Sequence, residues 1–185
     1  MPKIAEIEPT PNPNAKKFVL KEPLTFGVSR NFDNAEAAKQ DKLAAELFAI
    51  PHVTNVYYMD RWVTITQDGQ ADWADLLRQV AVPIRAASME ETAGNGAAPA
   101  QAQPIATNPE DEVRLRRINE VLDTQIRPGL AMDGGGIQII GLEENVLKIR
   151  YQGACGSCPS SLYGTMMAIE NMLRAVEPDL MVMAV

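Results

Sequence analysis

Between Ser88 and Pro109 the chain loses the patterning a folded element needs. After Glu91 the stretch "TAGNGAAPAQAQPIATNP" carries no charge and no hydrophobic period. Ala, Gly, Gln and Pro in that proportion make a flexible tether, whose ends as a coil stand about 25 Å apart. The tether divides the 185 residues into a first stretch, 1–87, a linker, 88–109, and a second stretch, 110–185. Each stretch has room for one small core. The expected fold class is therefore α+β: two small two-layer α/β domains joined by a flexible Ala/Gly/Pro/Gln-rich linker.

The first stretch opens with a short strand and the segment "TPNPNAKKFVL", where alternating Pro and Asn form a stiff turn into a strand at Lys17–Leu20. A helical period follows at Ala37, Leu43, Leu47 and Phe48. "HVTNVYYM" and "RWVTITQ" read as two strands hinged near Asp60 and Arg61, and Trp73, Leu76, Leu77 and Val80 share one face of a closing helix. The second stretch begins with a helix start, in which Asn108 caps, Pro109 takes the first position and Glu110, Asp111 and Glu112 favour the positive dipole end. Leu115, Ile118, Leu122 and Ile126 form the buried stripe of that helix, and "RPGLAMDGGG" ends it. "IQIIGLEENVLKIRYQG" reads as a hairpin turning at Glu144-Asn145. A helix through Leu162, Met166, Ile169, Leu173 and Val176 follows, and "LMVMAV" is a last strand. The expected order is α-β-β-α-β.

Composition narrows the function. A net charge of −7 leaves nothing to neutralise a run of phosphates, which excludes a general nucleic-acid binder. No apolar run approaches the roughly 18 residues of a membrane span, and no basic amphipathic stripe suits a membrane surface. The start, "MPKIAEIEP", has neither signal-peptide nor transit-peptide character. The expectation is a cytoplasmic protein with no nucleic-acid or membrane partner. In a reducing compartment its two cysteines favour metal binding or thiol redox chemistry over a structural disulfide.

Those cysteines, Cys155 and Cys158, stand together in "GACGSCPSS", where the hairpin gives way to a helix. Cys158 is placed as N-cap and Pro159 as the first helical residue; free N–H groups and the dipole favour thiolates there. Gly153, Ala154, Gly156 and Ser157 carry little bulk and let something large approach the backbone. Zinc sites and iron–sulfur clusters usually take four protein ligands. The chain supplies two, and its one histidine, His52, reads as a surface or turn residue of the first stretch. Two copies related by a two-fold axis supply four. A zinc knuckle, an idle turn and a thioredoxin-like redox pair remain as alternatives.

"RPGLAMDGGGIQIIGLEENVLKIRYQGACGSCPSSLYGTMMAIENMLRAVEP" resembles the C-terminal domain of the NifU-like (Nfu) iron–sulfur proteins. Gly136 stands where that family commonly carries an acidic residue. The first stretch, from "TPNPNAKKF" to "DWADLL", is similar to the separate N-terminal domain of the same proteins. The resemblance implies a carrier, not an enzyme, that holds a [4Fe–4S] cluster between two subunits of a homodimer. It implies delivery to apo iron–sulfur client proteins after loading by an upstream donor. Only Cys155 and Cys158 carry over as ligands. The rival function is a thioredoxin-like dithiol–disulfide oxidoreductase using the same pair.

Other features read more plainly. "DGGG", Asp133–Gly136, lacks the Gly-Lys-Ser/Thr of a phosphate loop and suits a tight turn with positive φ. Met166, Met167 and Met172 read as core filler, with part of the group available to a partner subunit. Arg127 and Arg150 read as solvated, with a second role in offsetting cluster charge. "TPNPNAKKF" is either a rigid loop or a docking surface.

Overall fold

A computed structural model of the chain describes residues 2–88, 105–106, 109–156 and 159–185. The chain forms two compact units, one within Met1–Pro99 and one within Ala100–Val185.

In the first unit five strands form one antiparallel sheet. They are β1 (Ile4–Pro9), β2 (Ala15–Leu20), β3 (Ser29–Phe32), β4 (Val53–Met59) and β5 (Trp62–Gln67), in the order β1-β2-β5-β4-β3. β4 and β5 turn at Asp60 and Arg61, with Asp60 at φ +48°. Strand alternation sends Phe18, Leu20, Val56, Tyr58, Val63 and Ile65 to one face. There they meet Leu43 and Leu47 of α2 (Lys42–Phe48) and Leu76, Val80 and Ile84 of α3 (Trp73–Ala86). The helical period expected from Ala37 to Phe48 is broken in two. α1 covers Ala35–Ala38, and Asp41 then goes extended so that its side chain accepts from the Ala44 N–H at 2.8 Å and caps α2. β3 was not expected. Its residues Ser29, Arg30 and Asn31 are polar, and Arg30 is buried through a 3.3 Å ion pair with Asp41, not through hydrophobicity.

In the second unit a four-stranded sheet carries helices on one face. Its strands are β6 (Ile105–Ala106), β7 (Gly135–Glu143), β8 (Val146–Gly153) and β9 (Met181–Ala184), in that order. β7 and β8 are an antiparallel hairpin whose turn is Glu144 and Asn145, while β6 and β9 flank it in parallel. Ile105 and Ala106 fall inside the expected linker yet pair with Gly141 and Leu142. Residues 89–104, 107 and 108 of that linker lie outside the described residues, as does the expected cap Asn108.

The helices are α4 (Pro109–Val121), a π-helical stretch (Leu122–Ile126), α5 (Arg127–Met132) and α6 (Pro159–Leu173). The helix ends inside "RPGLAMDGGG" as expected, but it first passes Pro128, which the sequence did not explain. Pro128 lacks an N–H, and in a regular helix its ring would meet the carbonyl four residues back. The wider π turn just before it restarts the helix with Pro128 in the first turn, where a missing donor costs nothing. Leu115, Ile118, Leu122, Ile126 and Leu130 thus stay buried along the whole run, against Ile137, Ile139, Ile149, Tyr151, Ile169 and Leu173. Arg114 ties α4 to the hairpin turn, donating to Glu144 O at 2.6 Å and Asn145 Oδ1 at 3.1 Å while pairing with Glu177 at 2.8 Å.

Candidate metal centre

The open end of the β7–β8 hairpin is built from glycine. Gly135 lies opposite Gly153 in the ladder. Gly134 and Gly153 take φ of +75° and +64°, which lets the chain enter β7 and leave β8 sharply. The Ala154 N–H donates to Gly134 O at 3.2 Å, and the Gly156 N–H donates to Gly153 O at 3.1 Å. The turn that carries Cys155 is thereby folded back onto the start of β7.

Cys155 is half-buried and packs against the edge of the core. A Cβ added to Gly135 would stand 2.5 Å from Cys155 Sγ and 2.8 Å from the Gln152 carbonyl oxygen. No real side chain tolerates those distances. Gly156 is also tight, since a Cβ there would be 3.3 Å from Tyr151 O. The sulfur therefore sits against the backbone of Gly135 at the open end of the hairpin. α6 starts four residues later, at Pro159. Cys158 and Ser157 lie outside the described residues.

Tyr151 completes this end of the unit. It is 7% exposed, and its hydroxyl is buried without a hydrogen-bond partner among the described residues. Burial first, and then the negative charge of Cys155, push its pKa up to about 12.

The other sequence candidates have different roles. Among the described residues no three His, Cys, Asp or Glu side chains gather to hold a metal ion. His52 sits in a turn of the first unit at φ +73°, with Nδ1 3.0 Å from Asp68 Oδ2. That hydrogen bond, followed by one from the Gln70 N–H, holds the Asp68 carboxyl below its usual range. Arg127 is engaged along its own helix, paired with Asp123 and donating to Asn119 Oδ1 at 3.1 Å. Arg150 is exposed. The methionine expectation is corrected in part, because Met166 packs against the core while Met167 and Met172 are exposed. The "TPNPN" loop is internally bonded: Thr10 Oγ1 donates to Asn12 O at 2.8 Å, the Asn14 N–H donates to Asn12 Oδ1 at 2.9 Å, and Trp73 Nε1 donates to Pro13 O at 3.1 Å.

Sequence reasoning missed two residues here. Gly135 read as part of a turn, whereas its place is set by the sulfur above it. Tyr151 read as one more apolar position in a strand. The run of three glycines, Gly134–Gly136, longer than a tight turn needs, was the available signal for the first.

Comparison with known proteins places each unit. Residues 4–91 match the family model described as scaffold protein Nfu/NifU N terminal, and residues 118–182 match the NifU-like domain. The human protein named NFU1 iron-sulfur cluster scaffold homolog, mitochondrial, is 33% identical over 177 residues, covering 94% of this chain and 68% of its own length. An Arabidopsis thaliana protein, NifU-like protein 5, mitochondrial, is 34% identical over 172 residues, covering 91% of this chain and 62% of its own. A solution structure of a NifU-like protein from Saccharomyces cerevisiae covers 49% of this chain at 21% identity and a TM-score of 0.38, too low to bear on the site. The chain thus spans 62% to 68% of the length of these curated relatives. Their names overturn the expectation of a cytoplasmic protein, since both are called mitochondrial. That expectation leaned on the first residues, and where a chain shorter than its relatives begins says nothing of its compartment.

Proposed function

The chain belongs to the NifU-like (Nfu) family of iron–sulfur scaffold proteins, and we propose that it is a carrier which holds a [4Fe–4S] cluster as cargo and hands it to apo-proteins. Cys155 and Cys158 are the ligands. Each chain supplies two thiolates where a cluster takes four, so two copies hold one cluster between them in a homodimer. The single observation that carries the reading is the seat of Cys155, whose Sγ lies where a Cβ on Gly135 would be at 2.5 Å. A half-buried sulfur held against glycine backbone at a hairpin end is placed to bond an inorganic group.

Release is ligand exchange. A client thiolate bonds to iron as the bond from Cys155 or Cys158 to that iron breaks, with no change in oxidation state. The first unit, residues 1–87, recruits clients or the upstream donor, and the residues between it and β6 tether it to the cluster unit. Such a tether raises the local client concentration without new contacts at the cluster.

Transfer is the test. Loaded protein should restore activity to an apo iron–sulfur enzyme in the presence of a chelator that captures free iron. The cluster-free form should reduce protein disulfides poorly. Strong disulfide reductase turnover without cluster transfer would replace the carrier reading with the oxidoreductase one.

A further inference from the structure

Among the described residues of the second unit, one buried side-chain polar atom has no hydrogen-bond partner. Tyr151 fills core with its ring, beside Ile137 and Ile149, and phenylalanine would fill the same volume. Its hydroxyl is nevertheless buried without a partner among the described residues. Enclosing an unbonded hydroxyl is unfavourable, and a phenol gains nothing there unless something else comes to accept its proton.

The strand register places the cysteine turn on the same side as the phenol. Tyr151 lies opposite Ile137 in the ladder, and Gly135 is two residues before Ile137 on the same strand. Residues two apart on a strand face the same side, so the phenol and the sulfur seated over Gly135 share one face at one end of the sheet. The turn carrying Cys155 also closes directly on the backbone of Tyr151, where Gly156 approaches the Tyr151 carbonyl. Among the described residues, the charge that raises the phenol's pKa, after burial, is that of Cys155.

We propose that the Tyr151 hydroxyl donates a hydrogen bond to sulfur at the loaded site, either the Cys155 thiolate or the cluster sulfide beside it. This rests on the reading of Cys155 as a cluster ligand. A donor to sulfur draws charge from it, which weakens the iron–sulfur bond and makes the cluster easier to reduce. Tyr151 is thus a positioning residue that sets how firmly the cargo is held.

The test compares wild type with Tyr151→Phe, both as the full chain reconstituted with iron and sulfide. Both should take up cluster. In the variant the iron–sulfur stretching bands in resonance Raman should move to higher frequency, and the reduction potential should move to a more negative value. The small band shift that wild type shows on transfer to deuterium oxide should shrink in the variant. Unchanged bands, potential and deuterium shift in a loaded variant would overturn the proposal while leaving the carrier reading intact. A variant that fails to fold would also overturn it, because the hydroxyl would then have a structural partner. Absence of cluster from wild type itself would overturn the carrier reading and this proposal together.

Discussion

Cys155 holds its sulfur in the space that a side chain on Gly135 would occupy, at 2.5 Å from the ideal Cβ position. The relation crosses from one end of the sequence motif to the other: a glycine at the start of β7 makes room for a cysteine after β8. Neither residue can be understood alone.

Gly135→Ala follows directly. The added methyl meets Sγ and, at 2.8 Å, the rigid Gln152 carbonyl, so the cysteine turn must lift. Overpacking of this kind costs about 1–3 kcal/mol, and a displaced sulfur should cut cluster retention sharply. Gly129→Ala is the matched control, since nothing stands within 4 Å of its Cβ position and it lies in α5. That change should stabilise by about 0.5–1 kcal/mol and leave loading untouched. Chemical denaturation and iron content of the two variants check both. Equal stability and loading in Gly135→Ala would refute the steric account of the site.

Serine at either cysteine should remove stable cluster binding while the second unit stays folded. Cys155 packs only partly against the core, which Leu122, Leu142 and Ile149 fill without it. Circular dichroism should match wild type, and the visible absorbance of a cluster should be gone. A single serine variant with a normal cluster would strike that cysteine from the ligand set.

Alkaline pH should weaken the first unit. Burial, and next the charge of Asp41, push the Tyr58 pKa far above its ordinary value of 10.0, and its hydroxyl donates to Asp41 beside Arg30. A folded pKa raised above the unfolded one means the contribution is complete below pH 10 and is lost above it, as unfolded chains ionise first. The decline from this one group is about 1.4 kcal/mol per pH unit. Trp62 and Trp73, the chain's two tryptophans, both lie in this unit, so fluorescence-monitored urea unfolding between pH 8 and about 11 reads it alone. Tyr58→Phe should be less stable at neutral pH and decline less steeply. An equally steep decline in that variant would assign the effect to other groups.

What the sequence showed depended on how far apart the cooperating residues are. The Leu147, Ile149, Tyr151 alternation, the Glu144-Asn145 turn and the helix through Ile169 and Leu173 are local patterns, and each was readable. β3 was not, because Arg30 is buried by pairing with Asp41, and no alternation marks it. β6 was hidden in linker composition, its two residues being ordered by β7 and not by their own pattern. The end of the helix within "RPGLAMDGGG" was readable, whereas the π turn that carries it past Pro128 was not. At the site, the spacing of Cys155 and Cys158 among small residues pointed to metal chemistry. The seat on Gly135, and a Tyr151 hydroxyl without a partner among the described residues, needed strands β7 and β8 laid side by side.

The central claim is that one cluster is shared by two chains, and native mass spectrometry of protein loaded without oxygen tests it most directly. The account predicts one four-iron, four-sulfide cluster on a dimer, with chelation returning the mass to that of the bare chains. A complete four-iron cluster on a monomer, with no added thiol as an outside ligand, would contradict it.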